Sequence, residues 1–81
     1  MEKQFELAHG FSSHHRKQLQ KDEICGCFYC LKIFHPSEIM DWCDNENTAI
    51  CPYCGTDSII GSSSGFPITE LFLKGMHQAW F

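Results

Sequence analysis

Two short cysteine pairs constrain this chain more than anything else in it. Cys27-Phe28-Tyr29-Cys30 and Cys51-Pro52-Tyr53-Cys54 repeat one C-x2-C spacing, with twenty residues between Cys30 and Cys51. Two residues between cysteines let a tight turn aim both sulfurs at one point. Two such turns facing each other make a tetrahedral four-sulfur cage, with zinc–sulfur distances near ~2.3 Å. Gly55, directly after the second pair, supplies the permissive backbone that such a turn wants. The spacing therefore predicts one structural Zn²⁺ ion held by Cys27, Cys30, Cys51 and Cys54. Soft sulfur ligands also suit iron in a rubredoxin-like site, and spacing alone does not separate the two metals. Zinc is preferred because nothing else in the chain points to electron transfer.

A chain of 81 residues has room for one domain. A core this small rarely contributes more than ~3–5 kcal/mol, whereas zinc in small fingers contributes an apparent ~10–16 kcal/mol. The metal is accordingly expected to dominate folding between residues 25 and 60. Disulfides are the other way in which six cysteines can staple a small chain, and the compartment decides between them. The opening Met1-Glu2-Lys3-Gln4-Phe5-Glu6 carries acids and lacks the apolar run of a signal peptide. No stretch approaches the ~20 apolar residues needed to span a bilayer. The chain thus reads as cytoplasmic, with reduced thiols and no membrane partner.

The expected fold class is a small metal-stabilised α+β domain, a zinc ribbon with rubredoxin-like knuckles and flanking N-terminal and C-terminal helices. It divides into an N-terminal arm with a short helix over 1–23, the ribbon over 24–61, and a loop and packing helix over 62–81. Residues 1–11 show no clear period and are expected to fray or follow a partner. Ser12 or Ser13 is placed to cap a helix reaching about Lys21, marginal on its own because it has few apolar residues. Residues 24–34 read as strand, tight turn and strand, with Cys25 and Cys27 on one face. Pro36 opens a helical turn through Glu38 and Ile39 to about Trp42. Asp44-Asn45-Glu46-Asn47 is a polar turn, Thr48-Ala49-Ile50 a strand entering the second pair, and Ser58-Ile59-Ile60 the strand leaving it. Gly61-Ser62-Ser63-Ser64-Gly65 lacks the lysine and glycine spacing of a phosphate cradle and reads as a connector. Thr69 caps the last helix, with Glu70 favourable to its dipole. Phe72, Met76 and Trp80, widened by Leu73, form an apolar stripe that folds back over the ribbon. Gly75 weakens that helix by ~1 kcal/mol relative to alanine. Trp80 and Phe81 are expected to dock internally.

Three further residues resemble ligands without fitting the pattern. Cys25 reads as a small buried hydrophobe beside the site, and Cys43, without a partner at the right spacing, as structural. His35 follows Cys30 by five positions, but four cysteines already complete the set. Enzyme readings fare poorly. Cys51-Pro52-Tyr53-Cys54 reproduces the glutaredoxin active-site motif, yet that chemistry needs a helix after the nucleophile, and Gly55-Thr56-Asp57-Ser58 is a turn. Zinc deaminases use H-x-E with P-C-x-x-C, and His35-Pro36-Ser37-Glu38 has the wrong spacing. Zinc hydrolysis needs an open coordination position, which four cysteines deny. The sequence predicts no enzyme.

The formal charge is −4, and four thiolates around one divalent ion bring it to about −6. Net acidity disfavours a phosphate backbone as partner. The charges segregate, with His14, His15, Arg16, Lys17 and Lys21 near the N-terminus and Glu38, Asp41, Asp44, Glu46 and Asp57 beyond it. Two partner classes follow. The leading one is a protein, bound by an interaction adaptor whose rigid zinc platform presents the acidic middle and the aromatic C-terminal helix. The alternative is nucleic acid, tracked by the basic N-terminal segment with Phe28 or Tyr29 stacking on bases.

With those residues in view, the chain resembles a family of small bacterial cytoplasmic proteins of zinc-ribbon character. The shared text is Cys25-Gly26-Cys27-Phe28-Tyr29-Cys30, Pro36-Ser37-Glu38-Ile39 and Thr48-Ala49-Ile50-Cys51-Pro52-Tyr53-Cys54-Gly55. It continues through Asp57-Ser58, Gly65-Phe66-Pro67-Ile68-Thr69 and Trp80-Phe81, with a weaker match around His14 and His15. The resemblance implies a bacterial cytosolic metal-binding protein with the same four ligands, and carries no activity with it. Cys43 departs from the shared pattern. A toxin-neutralising adaptor is one specific version, suggested by small size and acidity.

Overall fold

The computed structural model describes residues 3–81, in which two small antiparallel sheets lie between helical segments in chain order. The element order is α1 (Lys3–His9), α2 (Arg16–Lys21), β1 (Cys25–Cys27), β2 (Ile33–Phe34), β3 (Asp41–Cys43), β4 (Thr48–Ile50), β5 (Ile59–Gly61) and α3 (Glu70–Trp80). Single 3₁₀ turns cover Gly10–Ser12, Pro36–Glu38 and Ser62–Ser64. One sheet has the order β2-β1-β5, with Cys25 opposite Phe34 and Gly61, and Cys27 opposite Ile59. The other is the β3–β4 hairpin, with Trp42 opposite Ala49.

Strand periodicity divides the interior in two. Cys25, Cys27 and Ile59 face a cluster with Leu19, Phe34, Ile39, Ala49 and Cys51. Their neighbour Ile60 points the other way and joins Ala8, Phe28, Phe72, Leu73 and Met76. The first core surrounds the cysteines, and the second fastens α1 and α3 to the back of the sheet. The expected stripe on α3 is therefore core at Phe72, Leu73 and Met76, and Thr69 Oγ1 accepts from the Phe72 N–H at 3.2 Å as a cap. Trp80 and Phe81, expected to dock internally, touch the fold but stay exposed, at 36% and 57%. The Trp80 indole N–H donates to the Phe5 carbonyl at 3.1 Å, and the Phe81 ring meets Tyr29 edge-on at 4.8 Å.

Three expectations are corrected. The N-terminal stretch, expected to fray, is helical from Lys3 to His9, while residues 1–2 of it lie outside the described residues. Only Phe5 and Ala8 turn inward, too few to register as a period. Phe5 packs on Phe72 at 5.5 Å, and this docking stabilises a helix too short to stand alone. It also explains Gly75, since a Cβ there would lie 2.7 Å from Phe5 Cε1.

Second, neither Ser12 nor Ser13 caps α2, which starts only at Arg16. The cap comes from a distant turn instead. The His15 and Arg16 amides both donate to the Asn47 carbonyl, at 2.8 and 3.1 Å, and the His14 amide to Thr48 Oγ1 at 2.8 Å. Third, the turn opened by Pro36 stops at Glu38, and Trp42 lies in β3 rather than in a helix. Pairing with β4 and the Arg16 guanidinium, 4.6 Å above the indole, override the local preference.

Candidate metal centre

The two C-x2-C pairs form one structure twice. In each, the first cysteine's N–H donates to a carbonyl five residues on: Cys27 to Lys32 at 3.0 Å and Cys51 to Thr56 at 2.9 Å. In each, its carbonyl accepts from the residue after the second cysteine, Leu31 and Gly55, both at 2.9 Å. The turn closes only if that residue takes a left-handed conformation, and φ is 67° at Leu31 and 78° at Gly55. Glycine adopts this readily, whereas leucine is strained there by ~1–2 kcal/mol. Leu31 offsets the strain by packing its side chain against the second core. Amides aim at sulfur in both turns as well, Tyr29 N–H to Cys27 Sγ at 3.3 Å and Tyr53 N–H to Cys51 Sγ at 3.4 Å.

Strand pairing brings the turns face to face. β1 leads into the first, β4 into the second, and β5 returns beside β1. All four sulfurs then lie within 4.8 Å of one another, and Cys27–Cys54 and Cys30–Cys51 are each 3.6 Å apart. A tetrahedron with ~2.3 Å metal–sulfur bonds has edges of about 3.8 Å. A disulfide needs about 2.05 Å. The spacing fits an ion between four thiolates and not a bond between two of them, and these four cysteines could hold a metal ion.

The electrostatics agree with that use. Burial pushes the Cys27 and Cys51 thiols up, against hydrogen bonds that favour their thiolates. At Cys54 burial also pushes upward, but the Thr56 hydroxyl and amide and the neighbouring thiols outweigh it, bringing the group down to about 7. Four thiolates this close, two of them buried, repel one another strongly, and a divalent cation among them would let all four ionise.

Other candidates fall outside the cluster. Cys25 is fully buried and donates to the Phe34 carbonyl at 3.4 Å, its thiol pushed up by burial to about 12. Cys43 sits on β3, raised by burial and by the Asp44 and Asp57 carboxylates. His35 caps the Pro36 turn, its Nδ1 accepting from the Ser37 N–H at 3.0 Å. The serine-rich connector offers no free anion site at Ser63, because its amide and hydroxyl both donate to the buried Asp22 carboxylate.

Ser58 escaped sequence reasoning. It is buried, with its hydroxyl 3.0 Å from Cys27 Sγ. No local spacing announces it, because the β1–β5 register delivers it. His15, counted with the basic cluster, is buried too. Its Nδ1–H donates to the Phe11 carbonyl at 2.6 Å, and its Nε2 accepts from the Ala49 N–H at 3.0 Å. Desolvation lowers its pKa and keeps the ring neutral.

The fold and site together define a small α+β protein with a four-cysteine cluster, compatible with a zinc-ribbon-like metal centre. Comparison with family models, curated proteins and solved structures returned no match, so the class rests on the geometry itself. Among the described residues no helix is long and apolar enough to cross a membrane.

Proposed function

We propose that the protein is a non-enzymatic zinc-binding module that works as a protein-interaction adaptor in the bacterial cytosol. One observation carries this reading: four cysteine sulfurs lie within 4.8 Å of one another, close enough to complete a zinc ion's coordination shell among themselves. Such a cage leaves no position for substrate or activated water, so its product is a rigid shape rather than a reaction. Exposed Tyr29, Tyr53 and Phe81 flank the two turns, and Glu38, Asp41, Asp44 and Glu46 form an exposed acidic edge nearby in sequence. Aromatic anchors beside a charged rim suit a protein partner. A basic partner such as a toxin surface is the specific version that acidity favours.

Elemental mass spectrometry of the purified protein tests the metal, with one zinc per chain expected. Removing it with a strong chelator should collapse the dispersed two-dimensional NMR signals of residues 25–60. Unchanged dispersion in verified metal-free protein would count decisively against a structural ion. A pull-down from the source cytosol tests the adaptor role, and recovery of no stoichiometric partner under mild salt would sink it. Nucleic-acid binding is the weaker reading. His15 is buried and neutral, and Arg16 donates to the Glu46 carbonyl at 2.9 Å beneath its stacking on Trp42. Of the N-terminal basic cluster, His14, Lys17 and Lys21 remain for phosphates. A salt-dependent mobility shift of a mixed oligonucleotide would restore it.

A further inference from the structure

We propose that a cleft beside the second cysteine turn binds the head of an alkylated ammonium cation, carried by a small solute or by a methylated lysine of another protein. The proposal rests on the fold and not on which ion the cysteines hold. Three segments far apart in sequence build the cleft: the end of α1 with the turn after it, residues 56–58 beyond the second cysteine turn, and Trp80 and Phe81 at the end of α3. Its volume is about 270 Å³. Sites for whole cofactors and drug-sized ligands take roughly 300–1,000 Å³, so a head group is the better match in size.

Aromatic rings dominate the lining. Phe28, only 2% exposed, forms the floor, and the exposed His9, Trp80 and Phe81 stand around it. The rings touch in series, with centroids 4.0 Å apart from Trp80 to His9, 6.0 Å from His9 to Phe28 and 5.8 Å from Phe28 to Phe81. Interplanar angles of 33°, 52° and 40° bend the series instead of stacking it flat. A ring face carries the negative part of its quadrupole and attracts a cation held within ~6 Å of the centroid.

The polar groups set the sign of the charge. Asp57 is exposed at the cleft. Among the described residues its carboxylate makes no hydrogen bond or ion pair, and no lysine or arginine lines the site. Two of the hydroxyls are already engaged. Ser12 donates to the His9 carbonyl at 2.6 Å, and the Ser58 hydroxyl lies 3.0 Å from Cys27 Sγ. An anion would meet a free carboxylate on a chain of net charge −4, whereas a cation is drawn by both. Alkylation then decides which cation. Sodium or bare ammonium gains little from one exposed carboxylate in water. Methyl groups on the nitrogen add apolar surface that the rings can bury while the charge stays over their faces.

The experiment titrates the full-length protein with tetramethylammonium, choline or ammonium chloride at constant ionic strength, followed by two-dimensional NMR. Saturable shifts at the Trp80 indole N–H and at the Asp57 and Ser58 amides are expected for the first two, with a dissociation constant of about 1 mM. Ammonium should bind about fivefold more weakly or worse. Phe81→Leu keeps the apolar bulk and removes the ring face, and Asp57→Asn removes the charge at nearly constant shape. Each should weaken tetramethylammonium by about threefold or more while the rest of the spectrum stays as in wild type. Shifts that do not saturate, equal affinity for ammonium, or an unchanged constant in either variant would overturn the proposal. A peptide carrying trimethyllysine, compared with its unmodified form and with choline, separates the two sources. Tighter binding of the modified peptide assigns the head to a partner chain, tighter binding of choline assigns it to a free solute, and both uphold the cleft's chemistry.

Discussion

His15 joins the N-terminal helices to the hairpin that feeds the second cysteine turn, and replacing it with alanine tests that joint. In the folded chain both ring nitrogens are used: Nδ1–H serves the Phe11 carbonyl and Nε2 takes the Ala49 amide. His15→Ala orphans the Ala49 N–H, on a residue with no solvent exposure, at a cost of ~1–3 kcal/mol. Losing the ring from a site that is 3% exposed adds roughly 1–2 kcal/mol of packing. Together about 3 kcal/mol should go, a large share of a small domain's stability.

The loss should also depend on pH. Burial holds the folded pKa of His15 below the ordinary histidine value of 6.5, against the smaller raising effects of the Phe11 carbonyl and Asp22, and with His14 lowering it further. Between the two pKa values the unfolded chain binds more protons than the folded one. The contribution is therefore complete above pH 6.5 and declines as pH falls through the folded pKa. Urea unfolding of wild type and His15→Ala at one fixed free zinc concentration measures it, since protonation of the cysteines cancels in the difference. A gap under about 1 kcal/mol at pH 7.5, or one that does not narrow toward pH 5, would refute this account.

Two other substitutions probe strain and packing. Asp44, Asn45 and Glu46 all have positive φ, and the Glu46 side chain is exposed. Glu46→Gly relieves ~1–2 kcal/mol of left-handed strain and gives back ~0.5–1 kcal/mol to the freer unfolded chain. A higher thermal midpoint is expected, and a lower one would mean that the turn is not strained. Gly75→Ala should destabilise although alanine is the better helix former. Overpacking against Phe5 costs ~1–3 kcal/mol and exceeds the ~1 kcal/mol gained in propensity. In a Phe5→Ala background the same change should stabilise, and thermal unfolding of the four variants reads the coupling directly.

What the sequence announced was local. The C-x2-C turns, the polar turn at Asp44, the Thr69 cap and the stripe through Phe72 and Met76 each depend on residues within a few positions of one another. Reasoning from spacing reaches that far. The N-terminal helix could not be seen because its apolar face is two residues, Phe5 and Ala8, and its stability is supplied by α3 some seventy positions away. The start of α2 was misplaced for a related reason. Serines upstream looked like caps, whereas the acceptor is the Asn47 carbonyl across the molecule. Ser58 and His15 are long-range in the same sense, one set by β1–β5 register and the other by helix docking.

These long-range contacts converge on the cysteine turns rather than scattering over the fold. Ser58 reaches Cys27, Ala49 two positions before Cys51 is held by His15, and Asn47 caps the helix that begins directly after His15. From α3, the His77 Nδ1–H donates to the Phe28 carbonyl at 3.1 Å. Two helices thus each hold one turn, α2 the second through its N-cap residue His15 and α3 the first through His77. An ion that fixes the turns relative to each other also fixes the helices that flank them. Chelation should consequently loosen α3 as well as the ribbon. Hydrogen exchange at Leu73 and Met76 measures that, and protection there that survives metal removal would show the two cores to be independent.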